Sequence, residues 1–203
     1  MVVCLAIYAV FITILLLLYV FFDVNYFLRV AFVMGRGKLF ESKKRIDECT
    51  EIYGLCTTQD IDIVFKHMNN ARYIRELDFA RFHFYDRTGL YKEIIKANGN
   101  VLQTASNIRY RRTIPLLSTY KITTKLIFWD KTNLFMEQQF VTLSDNFVRA
   151  IILSKQSIIG INLPEVLGKL TGKDVAYRPT PLPELEDWIK SIEKSSARLK
   201  KKN

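Results

Sequence analysis

The apolar positions of this chain fall into three regimes. From Val2 to Phe22 they are nearly continuous, with no charged residue and neither Gly nor Pro. About 21 such positions make roughly 31 Å of helix, the thickness of a hydrocarbon core of about 30 Å. Farther on the spacing becomes helical. Asn69 to Thr88 contains neither Gly nor Pro, and Tyr73, Leu77, Ala80 and Phe84 step by four, three and four along one face. Ile74, Phe79, Phe82 and Tyr85 widen that face, which predicts a helix wrapped on most sides, with Gly89 as its stop.

The third regime has the period of a β-strand. Thr50–Thr58 carries Ile52, Tyr53, Leu55 and Cys56 ahead of the helix. Four further stretches follow it, about Val101–Arg111, Tyr120–Trp129, Asn133–Leu143 and Phe147–Ile158. Tight turns around Asp130-Lys131-Thr132 and Ser144-Asp145-Asn146 make the last three an antiparallel meander. Alternation predicts Ile122, Leu126 and Phe128 on one face and Thr123 and Lys125 on the other. Asn162-Leu163-Pro164 opens a short helix, and Arg178 to Pro183 reads as an extended connector. A last helix, Glu184–Leu199, carries acidic residues first and basic ones last, as the helix dipole favours. Its Leu185, Trp188, Ile189 and Ile192 share a face suited to docking on the domain or on a membrane. Strand, long helix, then four strands predict an α+β fold, a curved antiparallel sheet around a central helix.

Charge adds a topology. After the apolar run come Arg29, Arg36, Lys38, Lys43, Lys44 and Arg45, while only the α-amino group precedes it. The positive-inside rule then puts the remainder of the chain in the cytosol. The run lacks a basic leading region and ends on Leu-Tyr-Val-Phe-Phe rather than on small residues, which favours an uncleaved anchor. The alternative is a cleaved signal and a secreted chain. Val24 to Met34 reads as an interfacial continuation of the helix. The predicted organisation is an anchor over 1–22, a basic juxtamembrane segment over 23–45, a folded domain over 46–161 and a helical extension over 162–203. The terminal Lys200-Lys201-Lys202-Asn203 resembles a dilysine retrieval signal of endoplasmic-reticulum membrane proteins, which works on the cytosolic side.

The 203 residues carry a formal charge of +10. Such a balance suits nucleic acid, an anionic membrane surface or a phosphate-rich ligand. Nucleic acid is disfavoured, because no recognition helix or zinc site is visible and the anchor ties the domain to a membrane. Three cysteines (Cys4, Cys49 and Cys56) without metal-type spacing fit a reducing compartment.

The chemistry-bearing stretch is Asp60-Ile61-Asp62-Ile63-Val64-Phe65-Lys66-His67-Met68-Asn69-Asn70-Ala71-Arg72-Tyr73. It resembles the hotdog thioesterase motif D-x-D-x-x-x-H-x-N-N-x-x-Y, and the resemblance continues through Arg75-Glu76-Leu77-Asp78-Phe79-Ala80-Arg81. The acidic pair lies seven and five residues before the His, one more than the common pattern, so a bulge must absorb a residue or the carboxylate is re-aimed. Phe65 stands where plant acyl-carrier-protein thioesterases carry an Asn. The resemblance implies a hotdog fold, hydrolysis of an acyl-CoA thioester, a homodimer with sites at the subunit interface, and no metal or other cofactor. It assigns the base or nucleophile to Asp62. Asp60, His67, Asn70 and Glu76 are further candidates: His67 to orient water or substrate, Asn70 to cap the helix or bind the thioester, Glu76 as a second carboxylate. Asp60 and Asp62 have a plainer reading as helix caps. Unpaired N–H groups at the helix start are suited to an oxyanion. Arg109, Arg111 and Arg112 are candidates for the coenzyme A phosphates, with alternation sending Arg109 and Arg111 to one face and Arg112 to the other. A non-catalytic protein that binds acyl-CoA or lipid, or scaffolds partners in lipid homeostasis, is the competing reading.

Overall fold

The structure, a computed structural model, describes residues 2–200. The three residues that complete the dilysine motif lie outside that range. The chain divides into two compact units, one up to Glu41 and one from Ser42 onward.

The first unit is helical. Helix α1 spans Val2–Phe21, and its 19-residue stretch from Val3 has a mean hydropathy of 2.8, long and apolar enough to cross a membrane. A break at Phe22–Asp23 separates it from α2, Val24–Phe40, whose N-terminus is capped by the Asp23 carboxylate accepting from the Tyr26 N–H. The continuation expected over Val24 to Met34 is thus a separate, longer helix, because Asp23 offers a cap in place of an intrahelical bond.

In the second unit β1 (Thr50–Leu55) precedes α3 (Asn70–Thr88) and α4 (Leu90–Lys96). Strands β2 (Asn100–Tyr110), β3 (Thr119–Trp129), β4 (Asn133–Thr142) and β5 (Val148–Ile159) follow, then α5 (Leu163–Thr171) and α6 (Pro183–Lys200). The sheet order is β1-β3-β4-β5-β2, antiparallel throughout, with β3, β4 and β5 as the meander and β2 as an open edge. The sheet curves around α3, the hotdog arrangement. Gly89 ends α3 at φ 74°, a left-handed turn that costs glycine least, and α4 starts at once.

The core lies between α3 and the inner sheet face. Tyr73, Leu77, Ala80 and Phe84 are buried there, and Tyr73 meets Phe140 at 4.9 Å between ring centroids. Phe84, Leu90 and Ile94 join Leu126, Trp129, Leu134, Met136 and Leu167 at one end of the core. One expectation about faces fails. A bulge at Ile127, between Leu126 paired to Met136 and Phe128 paired to Phe135, turns Phe128 outward and Trp129 inward. Phe128 therefore packs on the outer face with Phe135, Leu153 and Ile127, under Leu185, Trp188 and Ile189 of α6. That settles the docking surface of α6: it covers the outer face of this sheet.

Candidate active site

Residues 56–69 and 114–118 form two loops stitched together at the start of α3. The first folds as a hairpin, with Ile61 bridged to Met68 and the Asp62 N–H donating to the His67 carbonyl at 3.0 Å. His67 in turn bridges to Pro115, the Met68 N–H donates to Ile114, and the Leu116 and Leu117 N–H groups donate to Lys66 and Cys56. The hairpin turns at Asp62 to Phe65, closed by the Phe65 N–H on the Asp62 carbonyl, and Phe65 takes φ 56°. That left-handed residue absorbs the extra position between the acidic pair and the histidine.

The two aspartates do different things. Asp60 is buried and its carboxylate is fully engaged. Oδ2 accepts from the Thr57 N–H and hydroxyl at 2.8 Å each, and Oδ1 accepts from Arg72 Nε and Nη2 at 3.0 and 2.7 Å. Its backbone carbonyl takes the Asn69 N–H. It ties the hairpin to α3 and caps nothing. Asp62 is half-buried, and its Oδ2 lies 3.5 Å from His67 Nε2, whose side chain is 37% exposed. Only this pair among the motif residues combines a carboxylate, an imidazole and access to solvent.

Asn69 caps α3, accepting from the Ala71 N–H at 2.9 Å, so the capping role expected of Asn70 belongs to its neighbour. Asn70 is exposed, and its backbone carbonyl accepts from the Tyr110 hydroxyl at 2.9 Å. The Asn69 carbonyl accepts from the Arg72 N–H. Among the described residues, none accepts from the N–H of Asn70, which lies at the positive end of the helix.

Glu76 lies in the core of the domain. It is 2% exposed and accepts from the Tyr120 hydroxyl at 2.9 Å, with the Tyr120 ring packed over Gly54. Burial, then the carboxylates of Asp60 and Glu76, push the Cys56 thiol up to about 11. Burial raises the Tyr73 phenol to about 12, although its oxygen accepts from the Ile114 N–H at 3.2 Å.

Of the three arginines, Arg109 is exposed on β2. Arg111 and Arg112 follow the strand end at Tyr110, so strand alternation does not separate them. Both N–H groups donate to the Arg149 carbonyl, and both guanidinium groups stack on Phe147, at 4.7 and 4.4 Å from the ring centroid. Arg149 packs on the same ring and pairs with Asp145. The sequence reading missed Phe147, just before β5, and Arg149 at its start; their place across from the end of β2 was the available signal.

Comparison with known proteins gives the chain a family. The family model of the thioesterase-like superfamily matches residues 56–190. Protein THEM6 of Drosophila melanogaster is 55% identical over 188 residues, covering 93% of this chain and 96% of its own. Among solved structures, the probable thioesterase YbaW from Escherichia coli superposes with a TM-score of 0.54 at 21% identity, over 60% of this chain and 98% of its own. The Staphylococcus aureus protein SAV2348, solved in complex with CoA, gives 0.53 at 17% identity, over 70% and 92%. With the family model spanning the hairpin, the helix it leads into and strands β2 to β5, the chain belongs to the thioesterase-like superfamily.

Proposed function

We propose that this protein hydrolyses an acyl-CoA thioester at a membrane surface. The observation that carries the reading is the Asp62–His67 pair, two residues along the hairpin ladder from the point where Asp60 meets Asn69 at the start of α3. In this mechanism the thioester carbonyl accepts from the Asn70 N–H, where the helix dipole stabilises the developing oxyanion. Asp62 takes a proton from water as its oxygen attacks the carbonyl carbon. The tetrahedral intermediate collapses, the C–S bond breaks, and the leaving thiolate takes the proton back from Asp62, leaving as coenzyme A thiol with the carboxylate regenerated. His67 orients the Asp62 carboxylate by donating from Nε2. Arg111 and Arg112, with Arg109 nearby on β2, meet the phosphates of the coenzyme. Asp60 holds the hairpin, and Glu76 takes no part.

The setting follows from the rest of the chain. Helix α1 anchors the protein in the endoplasmic-reticulum membrane, with the basic flank and the domain on the cytosolic side. A role in membrane lipid metabolism fits that address. The open edge of β2 supports a homodimer, because an unpaired strand edge is satisfied by a second copy.

The test is release of coenzyme A thiol from acyl-CoAs of graded chain length by the purified full chain. Turnover in the parent that disappears in Asp62→Asn, with the fold intact, supports hydrolysis. Turnover unchanged in Asp62→Asn refutes the assignment. Saturable binding of acyl-CoA without turnover in the parent favours the second reading, a ligand-binding member. That reading draws on Phe65, which points from the hairpin tip rather than offering a polar group to the site.

A further inference from the structure

The hairpin that carries Asp62 and His67 ends in an apolar tip. Ile63 is 91% exposed, Val64 57% and Phe65 71%, and on the adjoining loop Leu117 is 70% exposed. Large apolar side chains grouped in this way mark a surface with a partner. The backbone strengthens the point. Phe65 and Leu117 are both at positive φ, 56° and 61°, a region that bulky residues avoid. The bridges and hydrogen bonds between the two loops hold these conformations in place, so the exposed side chains are presented rather than loose.

Charge at this end of the domain identifies the partner. Lys66 at the tip and Arg111 and Arg112 just ahead of the Leu117 loop are exposed. The acids of the hairpin are occupied, Asp60 by Arg72 and Asp62 beside His67, and so is Asp145 of the turn between β4 and β5, by Arg149. Exposed apolar side chains accompanied by exposed lysine and arginine fit the boundary between anionic headgroups and acyl chains. Two copies of this basic surface brought face to face repel, whereas an anionic leaflet attracts it.

We infer that Ile63, Val64, Phe65 and Leu117 form a wedge that inserts into the headgroup region of an anionic bilayer, setting the Asp62–His67 pair directly above the lipid. The inference rests on the membrane-anchored reading above and adds a second, peripheral contact. An acyl chain dissolved in the leaflet then reaches the site along the wedge, without crossing water.

Full-length protein in vesicles of phosphatidylcholine and phosphatidylserine tests this. A Phe65→Trp variant, read against the parent to subtract Trp129 and Trp188, is challenged with iodide in the water and with bromine-bearing acyl chains in the lipid. Tyr91→Trp, at an exposed position of α4, is the control. The expected result is a blue-shifted emission from Phe65→Trp that brominated lipid removes and iodide does not, with the reverse for the control. Quenching of Phe65→Trp by iodide alone overturns the wedge. Shielding from both quenchers also overturns it, since a protein surface then covers the tip. Leu117→Trp repeats the measurement independently should Phe65→Trp fold poorly. Vesicle flotation keeps the two readings apart: a chain that floats with an unquenched tip refutes the wedge alone, and one that does not float refutes the anchor as well.

Discussion

Replacing Asp60 by asparagine should unfold the domain more easily, whereas the same change at Asp62 should leave it intact. The Asp60 carboxylate accepts four hydrogen bonds, two from Thr57 and two from Arg72. An asparagine side chain keeps one carbonyl oxygen and must turn its amide donors toward either Thr57 or Arg72, both already donors. Breaking a buried ion pair from one side costs about 3–5 kcal/mol. The side chain of Arg72 is 27% exposed, so water compensates part of that loss. With that discount, about 2–3 kcal/mol remains, at the level of charge-assisted hydrogen bonds. For a unit of this size that is a fall of about 5–10 °C in Tm. Asp62, half-buried and held mainly by a 3.5 Å contact to His67, should change by less than about 1 kcal/mol. Denaturation of the detergent-solubilised full chain, followed by near-UV circular dichroism, measures both. Equal losses in the two variants, or a stable Asp60→Asn, would show that the division of labour between the aspartates is mistaken.

Gly54→Ala should destabilise the domain by about 1–3 kcal/mol, because a Cβ there would sit 2.5 Å from the Tyr120 ring, which is wedged between β1 and α3; a melting curve reads the loss. The Cys56 thiol, raised to about 11 and buried, should stay unreactive toward aromatic disulfides at neutral pH until the chain unfolds, while the exposed Cys49 reacts in the native state. Tyr73 gives an alkaline signature. Its folded value is raised to about 12 from 10, so its contribution to stability is complete below pH 10 and declines as pH rises toward 12, where the unfolded chain releases the proton first. Tyr73→Phe should flatten that part of the stability profile, measured by denaturant titration at a series of alkaline pH values.

Most of the architecture was legible in the sequence because its periodicities are long and uninterrupted. The stripe Tyr73, Leu77, Ala80 and Phe84 faces the sheet as its spacing requires, and the meander follows its turn residues. The parts that were not legible depend on single residues. Nothing local announces the bulge at Ile127, which is set by where β3 must curve over α3 and which reverses Phe128. Helix α4 starts without a spacer after Gly89, and its seven residues are too few to show a period, so the sequence analysis assigns no element there. In the motif, the resemblance put Asp62 ahead of Asp60 and singled out Asn70, but the residues themselves carry no signal of which aspartate is buried or which asparagine caps the helix. What separates them is tertiary: Arg72 reaches back to Asp60 from the first turn of α3, and Asn69 rather than Asn70 has the extended backbone of a cap. The aromatic anchor Phe147 under Arg111 and Arg112 was hidden for the same reason, since it comes from a different hairpin.

The helix laid over the outer face of the sheet limits how copies of this domain can meet. Trp188, Leu185 and Ile189 occupy the apolar patch of Phe128, Phe135 and Leu153, and elsewhere the outward row is Lys121, Lys125, Glu137 and Lys155. Back-to-back stacking of two sheets needs a broad greasy plane, and here it is already filled at one end and charged at the other. That face is therefore a poor surface for layering one copy on another, whatever the border strands do.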